Sequence, residues 1–216
     1  MAVFNNKSEF RNFCLKKLNL ITSYERRVFS KKINQIIEDI IISTNVKNIL
    51  FYMPMIHEPD IRVLFKKYRK NKNLFLPFME GKSFKMVKYR LPLKTKKFNI
   101  KEPANSFYKL SKLDIAIVPV IGVDRDFRRV GFGKGMYDRF FANLSYRPLI
   151  IFVELKRCLT YSKITDSYDV LGDLYITPKE IIIRGESDVG RDIGRKFCRY
   201  NKWRCRIFNS KKSRKK

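Results

Sequence analysis

The residues of this chain best suited to chemistry are Gly131-Phe132-Gly133-Lys134-Gly135-Met136-Tyr137-Asp138, which set three alternate glycines, a lysine and an aspartate within eight positions. Glycine lets backbone N–H groups approach an anion with no Cβ in the way, lysine adds positive charge, and aspartate can hold a hard cation such as magnesium. A nucleotide phosphate is the first ligand such a set suggests, although an ordinary glycine-rich turn has the same composition. The spacing is neither GxGxxG nor GxxxxGK[ST], so the motif supports neither a dinucleotide-binding nor a Walker-type fold.

The surrounding elements must hold this loop in place. Residues 113–123 (LDIAIVPVIGV) form a nearly unbroken apolar run, expected of a strand buried on both faces of a parallel sheet. Residues 124–129 break the run, and Tyr137, Phe140, Phe141 and Leu144 then recur at helical spacing. The loop therefore lies between a strand and a helix start, where unpaired amides and the positive end of the helix dipole favour an anion.

The spacing predicts a helix over 7–19, with Phe10, Phe13, Cys14 and Leu18 on one face and Lys7 and Arg11 sharing another. A second helix is expected over about 23–43, with Phe29, Ile33, Ile36, Ile37, Ile40 and Ile41 in period and Thr22 and Glu25 at capping-box spacing. Residues 48–53 read as a strand and 57–60 as a turn. A helix follows with Pro59 in its first turn and Ile61, Leu64, Phe65 and Tyr68 as its buried stripe. Strands are expected at 74–78 and 84–89, joined as a hairpin near Gly81, then a loop at 94–106. A strand at 149–153 and a last stretch at 174–183, with Pro178 at a turn or edge, complete the pattern. This alternation predicts a single layered α/β domain over 1–183, with a mostly parallel central sheet flanked by helices. From Arg184 onward 13 basic residues face three acids, so 184–216 reads as a basic C-terminal tail, partly helical or disordered.

Composition sets the outer bounds. A length of 216 residues allows one well-buried domain plus a tail, and 44% apolar content with 18 Phe and 11 Tyr supplies its core. The net charge of +28 attracts polyanions without naming one and favours a monomer. Cys14, Cys158, Cys198 and Cys205 contain no CxxC pair and have no histidine cluster, which argues against a zinc site or a disulfide framework. Reduced thiols of a cytoplasmic protein are expected. Residues 1–20 alternate charged and apolar positions, so no secretory leader is expected, and no apolar run approaches the roughly twenty residues of a membrane span. The single histidine, His57, reads as a loop residue.

Several pieces, in this order, resemble the 5-formyltetrahydrofolate cyclo-ligase (methenyltetrahydrofolate synthetase) family across about residues 7–181. They are Lys7-Ser8-Glu9-Phe10-Arg11, Tyr52-Met53-Pro54-Met55-Ile56-His57-Glu58 and Phe98-Asn99-Ile100-Lys101-Glu102-Pro103. The most specific is Asp114-Ile115-Ala116-Ile117-Val118-Pro119 running on to Arg129-Val130-Gly131 and through the glycine loop to Phe140. Asp169-Val170-Leu171-Gly172-Asp173 with Ile176-Thr177 closes the series.

The resemblance implies a fold related to sugar-phosphate isomerases and CoA transferases. It also implies an ATP- and Mg2+-dependent cyclisation of 5-formyltetrahydrofolate to 5,10-methenyltetrahydrofolate through a phosphorylated formyl group. Under it, Lys7, Arg11 and Lys134 are the catalytic cations. Lys7, Arg11, Arg129, Val130, Gly131, Phe132, Gly133, Lys134, Gly135, Met136 and Tyr137 contact ATP. Met53, Glu58 and residues 132–136 (Phe132, Gly133, Lys134, Gly135, Met136) contact the folate, and Asp138 and Asp169 bind the metal.

The family loop reads close to GYGGGYYD. Phe132 and Met136 therefore stand where tyrosines are usual, and Lys134 stands where many members have glycine. The threonine common after the substrate carboxylate is absent from Glu58-Pro59-Asp60-Ile61. The alternative is a divergent paralogue that binds nucleic acid nonspecifically through the tail, where Tyr200, Trp203 and Phe208 lie among basic residues.

Overall fold

A computed structural model describes residues 3–91, 94–95, 101–102, 112–200 and 203–209, without the side chains of 94–95, 101–102 and 196–200. In chain order the elements begin with α1 (Lys7–Asn19), α2 (Ser23–Thr44), β1 (Asn48–Leu50), α3 (Arg62–Tyr68), β2 (Asn73–Glu80) and β3 (Ser83–Lys88). Next come β4 (Lys94–Thr95), β5 (Lys101–Glu102), β6 (Ile115–Pro119), β7 (Gly122–Val123), β8 (Arg129–Val130) and α4 (Met136–Ala142). The last are β9 (Leu149–Val153), β10 (Leu174–Ile176), β11 (Ile181–Arg184), α5 (Asp188–Tyr200) and β12 (Cys205–Phe208).

The main sheet has eight strands in the order β12-β11-β10-β9-β6-β1-β2-β3. It is parallel except at β10/β11 and β2/β3, which are hairpins. The expected α/β architecture with a mostly parallel sheet is therefore present. In β6, Ile115 and Ile117 pack toward one core cluster and Ala116 and Val118 toward the other, so both faces of the strand are buried. This explains why its sequence is apolar without alternation. The isoleucines of α2 fill the first cluster, and Phe140 of α4 lies in the second. The Thr22/Glu25 capping box forms as expected at the start of α2.

Several boundaries differ from expectation. The apolar run 113–123 is broken between β6 and β7, and β7 leaves the main sheet to pair antiparallel with β8. The chain reverses at Asp124, whose buried carboxylate accepts the N–H groups of Asp126 and Arg128 through Oδ1. Its Oδ2 accepts Thr165 Oγ1 at 2.6 Å. The glycine loop thus follows β8 rather than the central strand. Regular pairing of β1 stops at Leu50, residues 51–61 are irregular, and Pro59 precedes α3 instead of lying in its first turn. The stretch 94–106, expected as a loop, contains the short β4/β5 ladder; 96–100 and 103–106, including Pro103, lie outside the described residues.

The expectation of four reduced thiols is corrected: Cys14 of α1 and Cys158 form a disulfide. Both are buried in a third, smaller cluster with Phe10, Leu18, Ile121, Val130 and Leu155. Folding brings α1 against β7 and the segment after β9, a proximity that a separation of 144 residues hides from any spacing rule. The compositional boundary at 184 is not a boundary of the sheet. Residues beyond it supply α5 and β12, and β12 pairs with β11 over four positions. Among the described residues, no helix is long and apolar enough to cross a membrane.

Candidate active site

The N-terminal half of α1, the glycine loop, the start of α4 and the loop 166–169 converge on one cavity of about 350 Å3. Its lining includes Lys7, Arg11, Arg129, Gly131, Gly133, Gly135, Asp138, Arg139, Tyr168 and Asp169. Lys7 and Arg11, one turn apart, point to the same side as predicted. Lys7 Nζ donates to Asp169 Oδ2 at 2.7 Å and pairs with Asp166 Oδ2 at 2.8 Å, while Arg11 Nε donates to Gly131 O at 2.6 Å. Burial lowers the proton affinity of the Lys7 ammonium, but the Asp166 and Asp169 carboxylates outweigh it and hold its pKa above that of an ordinary lysine.

Two glycines are explained by contacts or backbone angles. A Cβ on Gly131 would lie 2.2 Å from Nη1 of Arg129, so this glycine makes room for a guanidinium. Gly133 has φ +91°, which only glycine adopts freely, and its Cα faces the Arg11 guanidinium. Arg129 is buried, donates Nε to Pro119 O at 3.0 Å and lies 4.8 Å above the Tyr137 ring. Val130 does not line the cavity: its side chain is fully buried with Phe10 and Cys14, and its carbonyl accepts the N–H of Ile121 at 2.9 Å. Phe132 and Lys134 are exposed on the loop, and Met136 and Tyr137 begin α4 half-buried against the second core cluster. Burial first, and then the charge of Glu58, raises the Tyr137 hydroxyl above its usual pKa.

The two candidate metal ligands are neighbours. Asp138 Oδ1 accepts the N–H of Val170, the residue after Asp169, at 3.0 Å, and Asp169 Oδ2 accepts the N–H of Asp166 at 2.7 Å. Arg128 holds the same loop through the carbonyls of Ser167 and Asp169. No group of three or more metal-ligating side chains occurs among the described residues. Two carboxylates beside the glycine loop are a donor set of the kind that suits Mg2+, which takes one or two protein oxygens and completes its shell with water or ligand oxygens.

Met53 packs against the first core cluster, and Glu58 is only 4% exposed. Glu58 lies in the irregular stretch ahead of α3, which begins at Arg62. Burial raises its carboxyl to about pKa 7, opposed by the Met55 N–H, which donates to Oε2 at 2.8 Å, and by the charges of Arg129 and Arg26. His57 lies in the turn before Glu58, as expected of a loop residue.

Sequence reasoning missed Asp166, Tyr168 and Arg139. Tyr168 donates its hydroxyl to Asp166 and lies under the Lys7 ammonium, 5.1 Å from ring centroid to Nζ. Arg139 ties the loop carbonyl of Lys134 to Lys82 O of the β2–β3 turn. Asp166-Ser167-Tyr168-Asp169 held the available signal, a second carboxylate and an aromatic beside the one singled out. Of the tail aromatics, Trp203 donates to Asp39 at 3.1 Å, and Phe208 is buried against Phe127 and Tyr161.

Residues 3–154 match the model of the 5-formyltetrahydrofolate cyclo-ligase family. The 5-formyltetrahydrofolate cyclo-ligase of Mycoplasma genitalium is 26% identical over 176 residues, covering 79% of this chain and 97% of the relative. That of Haemophilus influenzae is 27% identical over 139 residues, covering 60% and 74%. Among solved structures, the 5,10-methenyltetrahydrofolate synthetase of Aquifex aeolicus superposes with a TM-score of 0.70 at 29% identity, covering 81% of this chain and 91% of that one. With the family match spanning most of the chain and the same fold in a synthetase, this protein belongs to the 5-formyltetrahydrofolate cyclo-ligase family and is a ligase.

Proposed function

We propose that the chain catalyses the ATP- and Mg2+-dependent cyclisation of 5-formyltetrahydrofolate to 5,10-methenyltetrahydrofolate, releasing ADP and phosphate, as a monomer in the cytoplasm. The observation that carries this reading is the meeting of Lys7, Arg11, the glycine loop, Asp138 and Asp169 around one cavity. The formyl oxygen attacks the γ-phosphorus and the bond to ADP breaks, which makes that oxygen a phosphate ester and a good leaving group. N10 of the folate then attacks the formyl carbon, its proton passes to water, and the carbon–oxygen bond breaks with loss of phosphate.

Such a transfer requires in-line positioning and charge stabilisation more than covalent help from the protein. Lys7, Arg11 and Lys134 supply positive charge to the phosphates, and the amides of 131–135 supply donors on the glycine-lined wall. Arg129 adds a charge held rigid by Pro119 O and the Tyr137 ring. Asp138 and Asp169 would hold Mg2+, which offsets the charge of the nucleotide oxygens. Met53 and Glu58 take the pterin, the carboxylate of Glu58 accepting its N–H groups, with Phe132 and Met136 between the two substrates.

The test is a coupled assay on the purified chain. Absorbance of the methenyl product should rise only when Mg2+, ATP and 5-formyltetrahydrofolate are all present, with phosphate released in equal amount. A folded, ATP-binding chain that gives no product overturns the reading.

A further inference from the structure

Residues 51–61 form neither helix nor strand, so their main-chain groups must find partners elsewhere. They find them on α2. Arg26 donates Nε to Glu58 O at 3.0 Å and Nη2 to Met55 O at 2.9 Å. One turn on, Ser30 Oγ accepts the N–H of Asp60 at 2.8 Å, and a turn further Asn34 Nδ2 donates to Asp60 O at 2.8 Å. The turn also closes on itself: Glu58 N–H donates to Met55 O at 3.1 Å, and Met55 N–H donates to Glu58 Oε2.

We propose that Arg26 is a positioning residue for the folate, clamping the Met55 and Glu58 carbonyls from α2 so that the Glu58 carboxylate is presented at a fixed place. The proposal rests on the folate reading of Glu58 given above. Arginine suits the role because its planar fork offers several N–H groups in rigid array, enough for two carbonyls at once, whereas a lysine ammonium is a mobile point charge. Arg26 does not line the cavity beside Lys7 and Asp169, so its influence should fall on one substrate only.

Steady-state kinetics of Arg26→Lys in the full chain, with each substrate varied in turn, test this. The Michaelis constant for 5-formyltetrahydrofolate should rise about tenfold, the loss expected for one charge-assisted contact, while that for ATP stays within about twofold. Arg27→Lys, on the exposed side of α2, should match the wild type in both. Equal rises for both substrates, or no rise for either, overturn the proposal. Should Arg26→Lys not fold, Ser30→Ala reads the same clamp and must shift the folate constant alone. A wild-type chain that turns over no folate would defeat the folate reading itself. Amide exchange across 53–60 would then judge the clamp: faster exchange there in Arg26→Lys, with β6 and β9 unchanged, sustains it, and unaltered protection removes it.

Discussion

At the scale of single residues, Glu58 makes a pH-dependent prediction. Its carboxyl titrates near pH 7 in the free protein because burial disfavours the charge. The ionised form is the hydrogen-bond acceptor, so kcat/KM for the folate should rise with pH through about 7 and then level, since that ratio reports free-enzyme groups. Glu58→Gln should remove this limb; a limb that persists assigns it to another group. Linkage gives an independent check with a defined sign. The folded pKa lies above the unfolded value of 4.5, so between about 4.5 and 7 the native state binds more protons and stability falls as pH rises. The Glu58 contribution is fully present below that window and lost above it, at most about 3 kcal/mol for a shift of this size. Denaturation of Glu58→Gln against wild type at pH 5 and pH 8 would reveal a relative gain for the variant at the higher pH.

Lys7 makes a different case, because two carboxylates already hold its ammonium. Lys7→Ala should cut turnover by about a hundredfold or more, as expected when a charge facing the transferred phosphoryl group is lost. The melting temperature should fall by several degrees as well, since Asp169, 7% exposed, loses the partner of a buried carboxylate, whereas Asp166, 52% exposed, is left to solvent at little cost. Wild-type kcat would remove Lys7 from the phosphate site. That Lys7, Arg11, Asp138 and Asp169 line one cavity was legible in the sequence because the family motifs carry all four. Asp166 and Tyr168 were not, because their role depends on where the loop 166–169 lands against α1.

At the scale of elements, the site depends on how α1 is held. Its apolar face and the disulfide from Cys14 to Cys158 fix the helix, and Lys7 and Arg11 project from the other side. Closing so long a loop contributes on the order of 5 kcal/mol in the chain-entropy account. Reduction, or the double change Cys14→Ala with Cys158→Ala, should therefore lower the melting temperature. It should also raise the Michaelis constant for ATP more than that for the folate, because the two cations ride on the released helix. Kinetics with and without a thiol reductant would measure this, and Michaelis constants unchanged for both substrates would show that α1 is held by packing alone. The helix itself was readable from its 3.6-residue pattern, and so was the capping box of α2. The departure of β7 from the main sheet was not, because the apolar run 113–123 continues across the break and only the Asp124 turn, closed by contacts from residues 164 and 165, ends it.

For the whole molecule, composition misplaced one boundary for a physical reason. Residues beyond 184 are rich in lysine and arginine, yet β12 needs few apolar side chains because it sits at the sheet edge and buries little more than Phe208. Local charge therefore concealed a strand whose partner, β11, lies more than twenty residues earlier. This changes how nucleic-acid binding should be tested. Deleting 184–216 would strip β12 and α5 from the domain, removing Ile193 from the first core cluster and Phe208 from the second and exposing β11, so lost binding could simply reflect unfolding. Phe208→Ala measures that structural share: burying a phenylalanine of this kind is worth about 3 kcal/mol, and in a chain of this size the melting temperature should fall by about 10 °C. Replacing Lys211, Lys212, Arg214, Lys215 and Lys216 with serine changes charge without touching β12 or Phe208. The serine variant should melt as wild type does and keep its turnover. If the tail attracts RNA through phosphate contacts, its affinity at low salt should fall together with the steepness of its salt dependence. Unchanged RNA affinity and salt slope would leave the +28 charge as a solvated surface, with residues 184–209 serving to complete the sheet.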